Sequence, residues 1–301
     1  MKYVVVLGDG MADRPIAELG DQTPLAYAET PTMDQLAAVS EIGMVHTIPD
    51  GMKPGSDTAN LSVLGYNPRI YYSGRSPLEA LSIGVDMKDT DIALRCNLVT
   101  LSEEEENYED RTIIDHSSGE ISTADAAVLL DAVREGLENE TYKFYVGTSY
   151  RHLLIWDRGE VVELTQPHDV LGQTIGQYLP EDAVLREMMK KSYDILVNHP
   201  INVERKKKGL NPANSCWFWG AGTKPALSSF EEKTHLKGAM ISAVDLLKGI
   251  AVGASMKVIE VEGANGGLNT NYEGKAQAAI DVLTKEGYDF AYIHVEAPDE
   301  M

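Results

Sequence analysis

YVVVL, residues 3–7, followed at once by GDG at 8–10, is the stretch on which the fold turns. Five apolar residues in a row, three of them β-branched and with no polar alternation, make the pattern of a strand buried on both faces, and such strands belong to parallel sheets. The Gly-Asp-Gly stop puts Asp9 in a loop at the carboxyl end of that strand. A second run in the same style, DFAYIHVEA at 289–297, lies near the other end of the chain. Between them, apolar residues at helical spacing predict helices over 31–40, 123–139, 182–199, 242–254 and 274–287. Strands alternating with helices predict an α/β fold with a mostly parallel sheet flanked by helices.

The middle of the chain reads differently. IALRCNLVT (92–100), TIIDHS (112–117), YKFYVGTS (142–149), RHLLIWD (151–157) and VVELT (161–165) read as strand pieces around one long helix. The acidic run Glu103–Glu106 reads as a solvated turn. We expect a smaller α+β domain, 89–179, inserted into an α/β domain formed by 1–88 and 180–301.

The chain has 301 residues, 43% of them apolar, enough for a sizeable core. Its 26 Lys and Arg against 47 Asp and Glu give a net charge of −21, which argues against a nucleic-acid or anionic-membrane surface. The opening MKYVVVLGDG is too short an apolar run for a signal peptide or membrane span, so a cytoplasmic protein is expected. Cys96 and Cys216 are the two cysteines, too few for a disulfide framework or a thiolate metal site, and read as reduced core thiols.

Three residues stand where chemistry is expected. Asp9, and Asp299 just after the second strand-like run, both sit at the carboxyl edge of a parallel sheet, where open α/β proteins bind ligands. Carboxylate oxygens there suit divalent cations such as Mg²⁺, Mn²⁺ or Zn²⁺, although an Asp beside Gly is also a common turn former. Ser56 lies in KPGSDTANL, where Pro-Gly makes a turn and a helix follows. Its hydroxyl reads either as a helix N-cap or as a nucleophile at an anion-receptive helix start; the local sequence leaves both open.

GDGMAD, KPGSDTANLSVLGY, GRSPLEA, RCNLVT, SYRHLLIW, QPHD, GLNPANS with WFWG, KGAMISAVDLLKGI, NTNYEGKA and IHVEAPDE occur in that order over essentially the whole chain. Together they resemble the archaeal-type cofactor-independent phosphoglycerate mutase family, within the alkaline phosphatase superfamily. The resemblance implies an alkaline-phosphatase-like sheet, two divalent metal ions, no bisphosphoglycerate, and interconversion of 3-phosphoglycerate and 2-phosphoglycerate through a phosphoserine. It also implies that Asp9 and Ser56 hold one metal, Asp299 the other, and that Ser56 is the nucleophile. The partner implied is a small phosphorylated substrate, gripped by the inserted domain. Cationic groups are scarce in this acidic chain, so Arg95, His116, Arg151, His152 and His168 are the candidates for that grip. Lys275 and Arg205 read instead as solvated, and Trp217 and Trp219 as packing a strand against its sheet. The residues carry no signal of oligomeric state.

The family pattern continues past IHVEAPDE with Gly-His, then Asp-His and a further His, all metal ligands, and this chain stops short of them. The expectation is therefore a fragment of a protein roughly 100 residues longer, with no mutase activity in the 301-residue form. Two other functions remain compatible with the same residues: a homoserine kinase-like phosphotransferase, differing in the inserted domain, and an inactive metal-binding fragment or scaffold.

Overall fold

The computed structural model describes residues 1–299. Its strands are β1 (Tyr3–Gly8), β2 (Ile92–Leu101), β3 (Ile113–Asp115), β4 (Tyr142–Thr148), β5 (Arg151–Trp156), β6 (Ser215–Thr223), β7 (Gly238–Ile241), β8 (Lys257–Val258) and β9 (Phe290–Val295). The helices are α1 (Pro24–Tyr27), α2 (Pro31–Ala37), α3 (Ser56–Val63), α4 (Pro68–Tyr71), α5 (Arg75–Ser82), α6 (Thr123–Leu137), α7 (Ala183–Leu196), α8 (Pro200–Lys207), α9 (Phe230–Thr234), α10 (Asp245–Gly253) and α11 (Tyr272–Thr284). They form two compact units, Met1–Tyr72 with Ala226–Met301, and Ser73–Pro225. Among the described residues no helix is long and apolar enough to cross a membrane.

The first unit is built on a parallel sheet in the order β1-β9-β7-β8. Register sorts the side chains by face, because successive residues of a strand point to opposite sides. Ala239 and Ile241 of β7 sit opposite Ala291 and Ile293 of β9, and all four pack with Ala279, Val282 and Leu283 of α11. Met240 and Tyr292, paired on the opposite face, are buried as well; α3 and α10 pack against each other in the same unit. β1 is parallel as expected, but it is the edge strand and its apolar residues are not buried: Val4 is 52% and Val6 67% exposed. Both are paired with the α11-covered face through Ala291 and Ile293, yet α11 packs mainly on β9 and β7.

The second unit is an antiparallel sheet centred on β2, which pairs with β3, β5 and β6, while β4 pairs with β5. All ten residues of β2 are buried, and its two faces differ in kind. Ile92, Leu94, Cys96 and Leu98 join the main core, which α6 and α7 complete. Ala93 packs instead with Ala80, Val85 and Met87 at α5, and Arg95 and Asn97 follow it on that face. The expected boundaries at 88/89 and 179/180 therefore fall elsewhere. The unit takes in 73–88 because α5 packs on β2 and β6, and 180–225 because α7 packs on α6 and β6, with β6 itself paired to β2. VVELT forms no strand; Trp217 Nε1 donates to the Thr165 carbonyl at 2.8 Å, and Val162 and Leu164 lean on the core without ladder bonds. Cys96 and Cys216 are buried free thiols, as expected, and burial pushes the Cys96 thiol well up.

Replacing Leu94, 0% exposed in β2, by Ala is expected to cost about 2–5 kcal/mol from lost burial and the cavity left behind. All three tryptophans lie in this unit (Trp156, Trp217 and Trp219), so tryptophan fluorescence in urea reads its unfolding directly. The midpoint should fall with the slope unchanged.

Candidate functional site

Two groups of chemistry-bearing side chains emerge, one in each unit. In the parallel unit, β1 and β9 run side by side with Leu7 opposite His294 and Gly8 opposite Val295, and the ladder continues one bond further, Asp9 N–H to the Val295 carbonyl at 2.9 Å. Both strands consequently finish at the same edge. His294 is fully buried, and its Nε2 lies 3.1 Å from Asp9 Oδ2 and 3.2 Å from Glu296 Oε2. Two carboxylate neighbours require a proton on that nitrogen. On the other side of the ring, Nδ1 meets Ser242 Oγ at 3.3 Å, just past the end of β7. The hydrogen bond from His294 holds the Asp9 carboxyl below its usual range against the opposing effect of burial, so Asp9 is a carboxylate at neutral pH. Donor atoms of Asp9, His294 and Glu296 all lie within 4.8 Å of one another, a mixed oxygen and imidazole set that fits a divalent cation able to displace the Nε2 proton.

Asp299 is exposed, in the turn just past β9, with its N–H on the Glu296 carbonyl. It packs directly on the Asp9 loop. Gly10 has φ +67°, and a Cβ added there would come within 2.6 Å of the Asp299 Cα and 2.8 Å of its Oδ1. The backbones of the Asp9 loop and the Asp299 turn are thus in contact at Gly10, and only a glycine permits it. Lys275 corrects the sequence reading: it is 1% exposed, and its Nζ donates to the His294 carbonyl at 3.1 Å. Burial pulls its pKa down and Glu296 pulls it back up.

Ser56 is half-buried and opens α3, but it is not the N-cap. Gly55 holds that position in extended conformation with no side-chain cap, and a Cβ on Gly55 would meet Asp57 Oδ1 at 2.6 Å. Asp57 folds back to accept the Thr58 N–H at 2.7 Å. Among the described residues Ser56 Oγ has no hydrogen-bond partner, so the capping role considered from the sequence is not the one it plays.

In the antiparallel unit, Arg95, Arg151, His116 and His168 come together with Arg75, which the sequence reading did not single out. Glu79 sits between Arg75, whose Nε donates to it at 3.0 Å, and Arg95, whose Nε lies 2.8 Å away but out of line for a hydrogen bond. The Arg95 guanidinium stacks 4.9 Å over Trp219, and that of Arg151 lies 5.4 Å from the Tyr150 ring centre. His168 meets Trp219 edge-on at 5.5 Å, and His116 bridges His168 (6.0 Å) and Tyr150 (5.7 Å). Asn97 ties the group together, accepting from Trp219 Nε1 at 3.0 Å and donating to the His116 carbonyl at 3.3 Å. Burial lowers the Arg95 pKa, Glu79 opposes this, and Arg75 and Arg151 add repulsion. Burial also lowers that of His168, with His116, Arg95 and Arg75 pushing the same way. Arg75 and Arg95 share the one carboxylate of Glu79, and Arg151 adds a third positive charge near Arg95, which favours binding of an anion.

His152 does not join them. It pairs with Cys96 across the ladder and so points to the core face, opposite Arg95 and Arg151. Its Nδ1 accepts from the Gly147 N–H at 3.2 Å, while Nε2 is buried without a partner. Arg205, read as solvated, is 8% exposed and donates to the Ser118 and Asn211 carbonyls, whereas Lys207 and Lys208 beside it are exposed.

A parallel sheet carrying carboxylates and a histidine on its carboxyl edge defines an α/β protein of the kind that binds ligands at that edge. Residues 37–202 match the family model for 2,3-bisphosphoglycerate-independent phosphoglycerate mutase. A protein of that name from Methanosarcina barkeri is 52% identical over 305 aligned residues, which take in all of this chain and 74% of the relative. A solved structure of the PH0037 protein from Pyrococcus horikoshii superimposes with a TM-score of 0.78 at 33% identity, covering 98% of this chain and 70% of that one. The cofactor-independent phosphoglycerate mutase from Thermoplasma acidophilum gives 0.62 at 28% identity, covering 98% and 78%. The chain belongs to the 2,3-bisphosphoglycerate-independent phosphoglycerate mutase family.

Two outcomes follow. Gly20→Ala, at φ +70° with open space around it, should cost about 1–2 kcal/mol for its left-handed backbone alone; Gly10→Ala carries the same strain plus the clash with Asp299 and should lose clearly more in chemical denaturation. His152 has its pKa lowered from 6.5 to about 4, by burial first and Arg134 second. Between those values the unfolded chain binds a proton that the folded chain does not. Stability is therefore full above pH 6.5 and falls as pH drops towards 4, by about 3 kcal/mol in all. His152→Gln should remove that part of the slope from denaturation midpoints measured between pH 7 and 4.

Proposed function

We propose that this protein interconverts 3-phosphoglycerate and 2-phosphoglycerate, with Ser56 as the residue that takes the phosphoryl group and returns it. One observation supports this most directly: the Asp9 loop, the Asp299 turn and, by way of Asn60, the start of α3 are all tied to β9 and the residue just past it, through His294, Glu296 and Tyr292. Ser56 Oγ, free of any cap bond, attacks phosphorus and gives up its proton, the bond from phosphorus to the C3 oxygen breaks, and that oxygen takes up one proton in exchange. The C2 hydroxyl of the same glycerate then attacks the phosphoserine, its proton passes to Ser56, and 2-phosphoglycerate leaves. No bisphosphoglycerate enters this cycle.

Asp9 with His294 and Glu296, Asp299, and Ser56 Oγ are the residues that would hold two divalent cations, Mn²⁺, Mg²⁺ or Zn²⁺. Such cations neutralise phosphoryl oxygens and lower the pKa of a ligating hydroxyl. Arg75, Arg95, Arg151, His116 and His168 recognise the anionic substrate, since paired guanidiniums match carboxylate and phosphate geometry. His152 has no part in it. The homoserine kinase-like and inactive-scaffold alternatives are disfavoured by relatives that are named for the mutase.

Ser56→Ala should lower the conversion of 3-phosphoglycerate in the presence of Mn²⁺ by at least about a thousandfold, as loss of a covalent nucleophile does. Thermal unfolding should stay within a few degrees of the parent, because the Ser56 hydroxyl holds nothing in the fold. Coupled detection of 2-phosphoglycerate through enolase reads the result, and an undiminished rate would remove Ser56 from the mechanism.

A further inference from the structure

We infer that Asn60 and Tyr292 form a positioning strut for Ser56, setting the first turn of α3 against the strand that also holds Asp9. The inference rests on Ser56 being the phosphoryl acceptor.

The strut is a chain of two hydrogen bonds. The Tyr292 hydroxyl donates to Asn60 Oδ1 at 2.6 Å, and Asn60 Nδ2 donates to the Ser56 carbonyl at 2.8 Å. Asn60 is 2% and Tyr292 0% exposed, so neither group has water as a substitute partner. An Asn in a helix interior is a poor helix former, and a buried amide is costly unless its polar atoms are engaged. An apolar pair would pack this position at lower cost. What the polar pair adds is direction: it links one carbonyl of α3 to one hydroxyl of β9.

That direction matters because of what else β9 holds. Tyr292 and His294 are two residues apart and share a face, about 7 Å along the strand. His294 engages Asp9 through Nε2. The serine and the carboxylate are thereby both referenced to one rigid strand, although they lie 47 positions apart in sequence. α3 needs such a reference because Gly55 supplies no side-chain cap to fix its first turn. Misplacing a reacting group by about 1 Å is enough to cost on the order of a hundredfold in rate.

The test compares Tyr292→Phe, Asn60→Ala and the double variant with Val282→Ala in the full-length protein. Val282 of α11 is fully buried and packs with Ala291 and Ile293, on the face of β9 opposite Tyr292, so its variant reports simple loss of core packing. Tyr292→Phe and Asn60→Ala should each lower kcat by about ten- to a hundredfold while KM for 3-phosphoglycerate stays within about twofold. The double variant should be no slower than Asn60→Ala, because both changes break one chain. Amide hydrogen exchange at Ala59 and Leu61 should quicken in Asn60→Ala and not in Val282→Ala, whose kcat should match the parent. Wild-type kcat in both strut variants, or a drop no larger than in Val282→Ala, overturns the inference while leaving Ser56 in its role. Turnover by Ser56→Ala is the separate result that would overturn that role. Should Tyr292→Phe fail to fold, Asn60→Ala with the exchange measurement decides alone.

Discussion

The arrangement of the parallel unit depends on one register, β1 against β9 with Leu7 opposite His294. Parallel strands end at the same edge, so this pairing delivers the Asp9 loop beside His294, Glu296 and the turn to Asp299. A slip of one residue would turn the Asp9 loop towards the other face of β9, where Ala291 and Ile293 lie in the α11 core. The remaining contacts serve that alignment. Ser242 holds the far side of the imidazole, and Lys275, buried and drawn towards Glu296, holds the backbone carbonyl of the same residue. The buried Lys275 ammonium and the hydrogen bonds of the His294 ring therefore meet the two carboxylates from the inner side of this corner.

The antiparallel unit reaches a comparable end by alternation within a single strand. Every residue of β2 is buried, yet Ile92, Leu94, Cys96 and Leu98 fill the core while Arg95 and Asn97 face the other way. A buried arginine that shares its one carboxylate with Arg75 and is repelled by Arg151 is far from self-sufficient. The aromatic rings of Trp219 and Tyr150 stabilise the cations through their faces without neutralising them. Positive potential is consequently preserved where a strongly acidic chain would otherwise suppress it.

Much of this was legible in the residues, and the failures are as physical as the successes. The GDG after YVVVL marked the carboxyl end of a parallel strand, and the helical spacings of 123–139, 182–199 and 274–287 correspond to α6, α7 and α11 within a few residues. YVVVL was misread as buried because a local run reports what a strand is made of and not what covers it. Lys275 was misread because a charged residue on an amphipathic helix is usually solvated, and only the tertiary position of the His294 carbonyl explains its burial. His294 and Glu296 were missed although DFAYIHVEA carries a signal: Tyr292, His294 and Glu296 recur at period two against Ala291, Ile293 and Val295. His152 failed for the same reason in reverse, since its neighbour Arg151 faces the cation cluster and a one-residue step moves a side chain to the other face. The unit boundaries were missed because the pairing of β6 with β2 joins residues more than a hundred positions apart, which no local pattern encodes.

The start of α3 breaks several local rules at once, and all of them concern one side chain. A serine at the cap position would add about 1 kcal/mol to helix stability, but the cap is Gly55 and the serine sits one place later with its hydroxyl unengaged. A good helix former at position 60 would add a few tenths more, but Asn60 stands there. Asp57 spends its carboxylate on the adjacent Thr58 N–H and packs so close to Gly55 that a Cβ there would have to displace it. Leu61 and Leu64, both buried, offset these losses by anchoring the helix from its inner side. A helix built only for stability would satisfy its first turn from within. This one leaves the hydroxyl of Ser56 open and takes its alignment from β9 instead, which is the pattern expected where a fold yields local stability to hold a reactive group in place.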